Sequence, residues 1–287
     1  MLIKYLGTGH TYEQKIGVFF LSDTRPIGIF DSGVGGLTVV KSLVEQLPRE
    51  SFIYFGDTAH LPYGNKSREQ LCQYARNIIA FLLDNDVKAI VVACGTHSSI
   101  TLPEIEDDYP VPLLGVVKPG ARAAVRTSRN KKIGIIATQA SVNSGSYSKS
   151  ISAIDGDCQV FANACPRFVP LVESGQLAGA EVEEAVQEYI DPLLEKGIDT
   201  LVLGCTHYPF LLPILKKHAG TSVRLVDPAS ETVEELKTLL TQEQILNGSG
   251  KGAGRFLVSG NDQSFYKVGS LLLGNLIHNA EKVNLAK

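Results

Sequence analysis

Short, continuous apolar runs rich in β-branched residues, alternating with helix-period segments, constrain this chain more than any other feature. PIGIF (26–30), SFIYFG (51–56), VKAIVVA (87–93), KKIGIIAT (131–138), DTLVLG (199–204) and SVRLV (222–226) read as strands buried on both faces. Between them, Ser67 and Gln70 spell a capping box ahead of Leu71, Tyr74, Ala75, Ile78 and Ile79 on one helix face. Val182, Ala185, Val186, Tyr189 and Leu193 form a second apolar stripe. Strands alternating with helices predict an α/β fold with a mainly parallel sheet.

The same runs look like a diverged duplication. PIGIFDSG resembles KIGIIATQ 106 residues later, and VVACGTHSS resembles VLGCTHYP 111 residues later. The Cys–Thr signature follows 63 residues after Asp31 and 67 after Thr138. This predicts two similar parallel-sheet α/β domains related by pseudo-twofold symmetry. Residues 25–117 plus 227–287 make the first, 118–226 the second, and 1–24 an N-terminal extension. The tail, with its strand RFLVS and the loop NGSGKGAG (247–254), is expected to return to the first half. Ligands of open α/β sheets bind beyond the carboxyl ends of the strands. The polar signatures at Asp31-Ser32, Gly56-Asp57, Cys94, Thr138 and Cys205 all fall at such ends, so facing halves would share one cleft.

Composition narrows the function. With 44% apolar and 20% charged residues, the 287-residue chain can bury a full core. Lys plus Arg total 27 against 30 Asp plus Glu, and a net charge of −3 argues against a nucleic-acid partner. Five widely spaced Cys make no disulfide framework and suit a reducing compartment. No segment reaches the ~18–20 apolar residues of a membrane span. The run Ile16–Leu21 follows Glu13 and precedes Asp23 and Arg25, which does not fit a secretory signal. A cytoplasmic protein with no membrane partner is expected.

Cys94 and Cys205 each end a buried strand and are followed by small or hydroxyl residues, which favours chemistry over plain packing. Cys72, Cys158 and Cys165 read as structural. The loop DSGVGG (31–36) would expose backbone N–H groups to a phosphate or equally to a carboxylate. Cys94-x-x-His97 with Cys205-x-His207 could compose a zinc site, but the second spacing is too tight for an ordinary chelate. No metal is expected.

PIGIFDSGVGGLTV (26–39), FGDTAHLPYG (55–64), VVACGTHSSITLP (91–103), ACPRFVPLVE (164–173) and LVLGCTHYPFL (201–211) together resemble the glutamate racemases of the cofactor-independent aspartate/glutamate racemase superfamily. The likeness covers about residues 25–280. It implies an isomerase that needs no cofactor and supplies D-glutamate for bacterial peptidoglycan, and hence for cell-wall biogenesis and cell shape. Its two thiols would flank the substrate: Cys94 takes the α-proton from D-glutamate and Cys205 from L-glutamate. Asp31 matches the acid supporting Cys94, and Glu173 with His207 the pair supporting Cys205. Ser32, Asp57, Tyr63, Gly64, Gly95, Thr96, Thr138, Thr206 and His207 match substrate-cleft positions, with Asp31 and Asp57 as partners for the ammonium group. The resemblance also implies a homodimer and, through members linked to inhibition of DNA gyrase, allows gyrase as a partner.

One departure stands out. Where the family usually has Asn-Thr-Ala, this chain has Gly95-Thr96-His97. Restoring the side chain by Gly95→Asn would then be expected to lower the Michaelis constant, unless His97 supplies a replacement donor. Two other functions stay open on the sequence: a racemase of altered specificity, for example for aspartate, and a catalytically poor ligand-binding or regulatory homologue.

Overall fold

The computed structural model describes residues 22–63 and 66–285. The run Ile16–Leu21, most of the 1–24 extension and Gly64 lie outside them. The first half contributes β1 (Ile27–Asp31), β2 (Phe52–Gly56), β3 (Ala89–Val92) and β4 (Leu113–Gly115). The second contributes β5 (Lys132–Ala137), β6 (Gln159–Ala164), β7 (Thr200–Leu203) and β8 (Arg224–Val226), and the tail adds β9 (Gly254–Val258) and β10 (Glu281–Lys282). They form two all-parallel sheets, ordered β10-β9-β2-β1-β3-β4 and β6-β5-β7-β8. The tail therefore joins the first sheet, with Phe52 opposite Gly254.

The two sheets repeat one topology to the residue. Asp31 pairs with Gly56 and Phe30 with Val92; Ala137 pairs with Ala164 and Ile136 with Leu203. Carried one or two residues past the strand ends, this register matches Ser32 with Thr138, Asp57 with Cys165, and Cys94 with Cys205. Each Cys thus leaves its sheet next to the central first strand, where the strand order reverses and ligand clefts form.

The central strands β1, β2, β3 and β7 are buried along their full length, which explains their unbroken apolar sequence. The capping box holds: Ser67 Oγ accepts from Gln70 N, and the Gln70 side chain accepts from Ser67 N, opening helix Arg68–Asp84. Helix Pro228–Gln242 packs against both Leu37–Gln46 of the first half and Val117–Thr127 of the second. Its fully buried Val233, Leu236 and Leu240 thereby join the halves. At the amino ends of the strands, buried Lys88 and Glu50 form an ion pair at 2.7 Å. Lys88 Nζ also donates to the carbonyls of Asp23 and Ile245, and Glu50 accepts from Asn247 N, each at 2.7 Å. The charges are satisfied and the tail loop is fastened beneath the first sheet. Among the described residues no helix is long and apolar enough to cross a membrane.

Candidate active site

Between the carboxyl ends of the two sheets lies a cavity of about 270 Å³ lined by Cys94 and Cys205. Ser32, Tyr63, Gly95, Thr96, Thr138, Thr206 and His207 also line it, as the sequence predicts. Asp31 is fully buried behind this wall, and Glu173 stands behind His207. Sequence reasoning missed an apolar side made by Leu61, Pro62, Pro166, Val169 and Pro170, and it missed Cys165. Read as structural, Cys165 lines the cavity from the end of β6, the counterpart of the Asp57 position.

On the Cys205 side, His207 Nδ1 lies 3.6 Å from the sulfur and Nε2 lies 2.6 Å from Glu173 Oε1. Burial alone would depress the imidazole pKa. The hydrogen bonds to Cys205 and Glu173, and their charges, override it and raise His207 well above its ordinary value. Burial pushes Glu173 up, but the bond and charge of His207 and the Val34 amide leave it below the usual carboxylate value. The pair is therefore an imidazolium and a carboxylate. A doubly protonated ring donates from both nitrogens, so it stabilises negative charge on the Cys205 sulfur.

The Cys94 side is different. Burial first, and then the Asp31 carboxylate, push the Cys94 thiol up to about 12. Asp31 itself is raised by burial, although His207, the amides of Gly33 and Gly36 and the Thr206 hydroxyl act in the opposite sense. Its Oδ1 accepts from Gly33 N at 2.9 Å and its Oδ2 from Thr206 Oγ1 at 3.0 Å. The site thus holds one thiol biased towards its proton and one sulfur placed beside an imidazolium.

The glycine loop binds a carboxylate, and it is the protein's own. Val34 N donates to Glu173 Oε1 at 3.1 Å across the cleft. Thr96 Oγ1 meets Thr138 Oγ1 at 3.1 Å, a second hydroxyl contact between the halves.

Two expectations need correction. Asp57 does not line the cavity: Tyr63 OH donates to it at 2.6 Å, Ser259 Oγ at 2.7 Å, and His60 Nδ1 lies 2.8 Å away. Its oxygens anchor Tyr63, whose ring lines the cleft, so Asp57 is not placed to meet an ammonium group. Gly95 leaves no room for the family's Asn, because a Cβ there would stand 2.5 Å from the Gly204 carbonyl oxygen. His97 does not replace it. The ring is fully buried between Phe30 and Tyr63 and does not line the cavity. Thr101 gives its hydroxyl proton to the His97 carbonyl and can only accept from Nδ1. Among the described residues the bare Nε2 has no partner, and burial holds the ring near a pKa of about 4, neutral.

Among the described residues no Lys or Arg lines the cavity, so hydroxyls, the Gln139 amide and backbone N–H groups are the donors offered to an anionic substrate. Among the same residues no group of three or more His, Cys, Asp or Glu is arranged to hold a metal ion. The arrangement can remove a proton from one face of a small molecule and return one to the other.

The Asp/Glu/Hydantoin racemase family matches residues 27–236. A glutamate racemase of Thermoanaerobacter pseudethanolicus is 44% identical over 92% of this chain and 99% of its own. Among solved structures, a glutamate racemase isoform of Bacillus anthracis superposes with a TM-score of 0.87 at 36% identity, covering 92% of this chain and 98% of that one. The Francisella tularensis glutamate racemase, solved in complex with D-glutamate, gives a TM-score of 0.84 at 36% identity over 92% and 98% of the two chains.

Proposed function

The chain belongs to the Asp/Glu/hydantoin racemase family and is an amino-acid racemase, and on that premise we propose that it interconverts L- and D-glutamate by proton transfer between Cys94 and Cys205. The observation that carries this reading is the pair of sulfurs lining one cavity from symmetry-related strand ends, Cys205 beside the His207–Glu173 pair and Cys94 on the Asp31 side.

With L-glutamate bound, Cys205, reacting as the thiolate beside the His207 imidazolium, takes the α-proton from one face. The Cys94 thiol delivers its proton to the other face, and the product is D-glutamate. The reverse reaction starts with the proton on Cys205, and Asp31 supports the charge change at Cys94. An α-proton is far less acidic than a thiol, so charge that develops on the substrate α-carboxylate needs donors already in place. The hydroxyls of Ser32, Thr96, Thr138 and Thr206 and the adjacent backbone N–H groups suit that task, in a small cavity where water does not weaken them. Acid and base both come from side chains, so no cofactor enters the scheme. D-glutamate made this way would supply peptidoglycan synthesis, and the resemblance extends to a homodimer, testable by light scattering.

The test is optical rotation of L-glutamate with purified protein and no added cofactor. Decay of rotation to zero supports the proposal. Decay with aspartate but not glutamate would move the assignment to a racemase of altered specificity. Unchanged rotation with every amino acid tried would leave a ligand-binding homologue.

A further inference from the structure

Gly33 and Gly35 are not assigned any part in the reaction above, yet each touches the opposite half's acid–base pair. A Cβ on Gly33 would collide with Glu173 Oε1, and one on Gly35 with His207 Nδ1 and Thr206 Oγ1. Neither glycine has a left-handed φ, so the demand for glycine comes from close approach and not from backbone conformation. Between them, the Val34 amide donates to Glu173 Oε1 at 3.1 Å, the same oxygen that His207 Nε2 approaches at 2.6 Å. The return contact runs from Thr206, beside Cys205, to Asp31, beside Cys94. Each sulfur's supporting carboxylate is thus held in part by the other half.

Resting on the racemase reading, we infer that the Gly33–Gly36 loop is a positioning element for the opposite base. The bare backbone at Gly33 and Gly35 and the Val34 amide hold Glu173, His207 and Cys205 in line only while the two halves are apposed. The groups that face His207 are Glu173 from its helix, Asp31 from the end of β1 and Cys205 from its own loop. Against the loop's other side packs Tyr54, whose hydroxyl donates to the Gly33 carbonyl at 2.6 Å. The glycine backbone covers part of the Glu173–His207 pair, leaving His207 buried and Glu173 23% exposed, and lower exposure strengthens the pair. Opening the halves removes the Val34 donor and admits water, so base strength is coupled to closure over the substrate.

Racemisation rates cannot isolate one base, because an equilibrium constant of one ties kcat/KM in the two directions together. A half-reaction can. With 3-chloroglutamate, removal of the α-proton leaves an electron pair that forms the Cα–Cβ double bond as the C–Cl bond breaks. Chloride departs, the proton stays on the sulfur, and water hydrolyses the enamine to 2-oxoglutarate and ammonia. In full-length Gly33→Ala, elimination from the L-analogue, which uses Cys205, should fall about 10²-fold, the usual cost of misplacing a reacting group by ~1 Å. Elimination from the D-analogue, which uses Cys94, should fall less: the Gly33 amide also holds Asp31 Oδ1 at 2.9 Å, but the added Cβ presses on Glu173 and not on Asp31. The alkaline limb of the L-profile should move to lower pH, because a displaced Glu173 supports the imidazolium less. Gly35→Ala, which also presses on Thr206, should lower both. In the unmutated protein the Val34 amide should be protected from hydrogen exchange and should lose that protection in Glu173→Ala, a readout that needs no glycine variant to fold. Equal loss on both analogues in Gly33→Ala with an unmoved limb, no loss on either, or a Val34 amide indifferent to Glu173 overturns the inference. Wild-type protein that eliminates from neither analogue overturns the racemase reading instead.

Discussion

Replacing Gly95 by Asn restores the side chain usual in the family at a place this chain has filled with backbone. The first side-chain carbon would lie 2.5 Å from the Gly204 carbonyl oxygen, about 0.8 Å short of the ~3.3 Å of an ordinary carbon–oxygen contact. Gly204 has little room to retreat, since a Cβ of its own would meet the Ile136 carbonyl at 2.9 Å and the Tyr147 ring at 3.0 Å. The strain is relieved by parting the halves. A separation of that size stretches Thr206–Asp31 from 3.0 Å and Val34–Glu173 from 3.1 Å beyond hydrogen-bond range. Each bond involves a carboxylate and contributes about 1.5–3 kcal/mol, so losing one in the reacting complex lowers kcat about 10- to 10²-fold. Circular-dichroism progress curves over a range of L-glutamate concentrations would separate kcat from KM. An unchanged kcat with a lower KM, the outcome expected from the sequence alone, would refute the close-approach argument.

Three other outcomes can be checked independently. Lys88→Met leaves Glu50 buried without its partner and should cost about 3–5 kcal/mol in urea unfolding; a loss below ~1 kcal/mol would mean that the tail loop does not depend on this pair. The raised His207 contributes stability that is full below its ordinary 6.5 and is lost as pH rises through its folded value. The lowered Glu173 contributes above its ordinary 4.5 and is lost as pH falls through its folded value. The difference in melting temperature between wild type and Glu173→Gln should therefore be largest between those two values and shrink towards alkaline pH; a difference that grows with pH contradicts the ion pair. On the proposed two-sulfur mechanism, chelator should leave racemisation intact, and stoichiometric zinc whose removal inactivates the enzyme would contradict that chemistry.

The sequence reveals the strands that are buried on both faces, because burial writes itself as unbroken apolar runs: β2, β3, β5 and β7 sit within predicted segments, and β1 overruns its segment only by Asp31. It hides β6, whose QVFANA is half-exposed and follows the polar DGDCQ, and β4, only three residues long. Missing β6 had a consequence in the site. Without that strand, Cys165 had no reason to stand beside Cys205, and only the sheet register pairs its position with Asp57. Asp57 failed in the opposite direction. Its place at a strand end was legible, but the groups that occupy its oxygens include Ser259, 202 residues away, and no local pattern reports such a partner. The DSGVGG loop is readable as a cradle for a phosphate or, equally, a carboxylate. That the carboxylate is Glu173, and that the glycines are spaces for the opposite half, depends on how the halves meet.

The central claim is one sulfur per substrate face, and Cys→Ala replacements assayed with both enantiomers of 3-chloroglutamate test it most directly. Each variant should lose racemisation in both directions, since either direction needs a base and an acid. Cys94→Ala should still eliminate chloride from the L-analogue through Cys205, and Cys205→Ala from the D-analogue through Cys94. Opposite stereochemistry would exchange the two faces, and full racemase activity in either variant would contradict the two-sulfur mechanism.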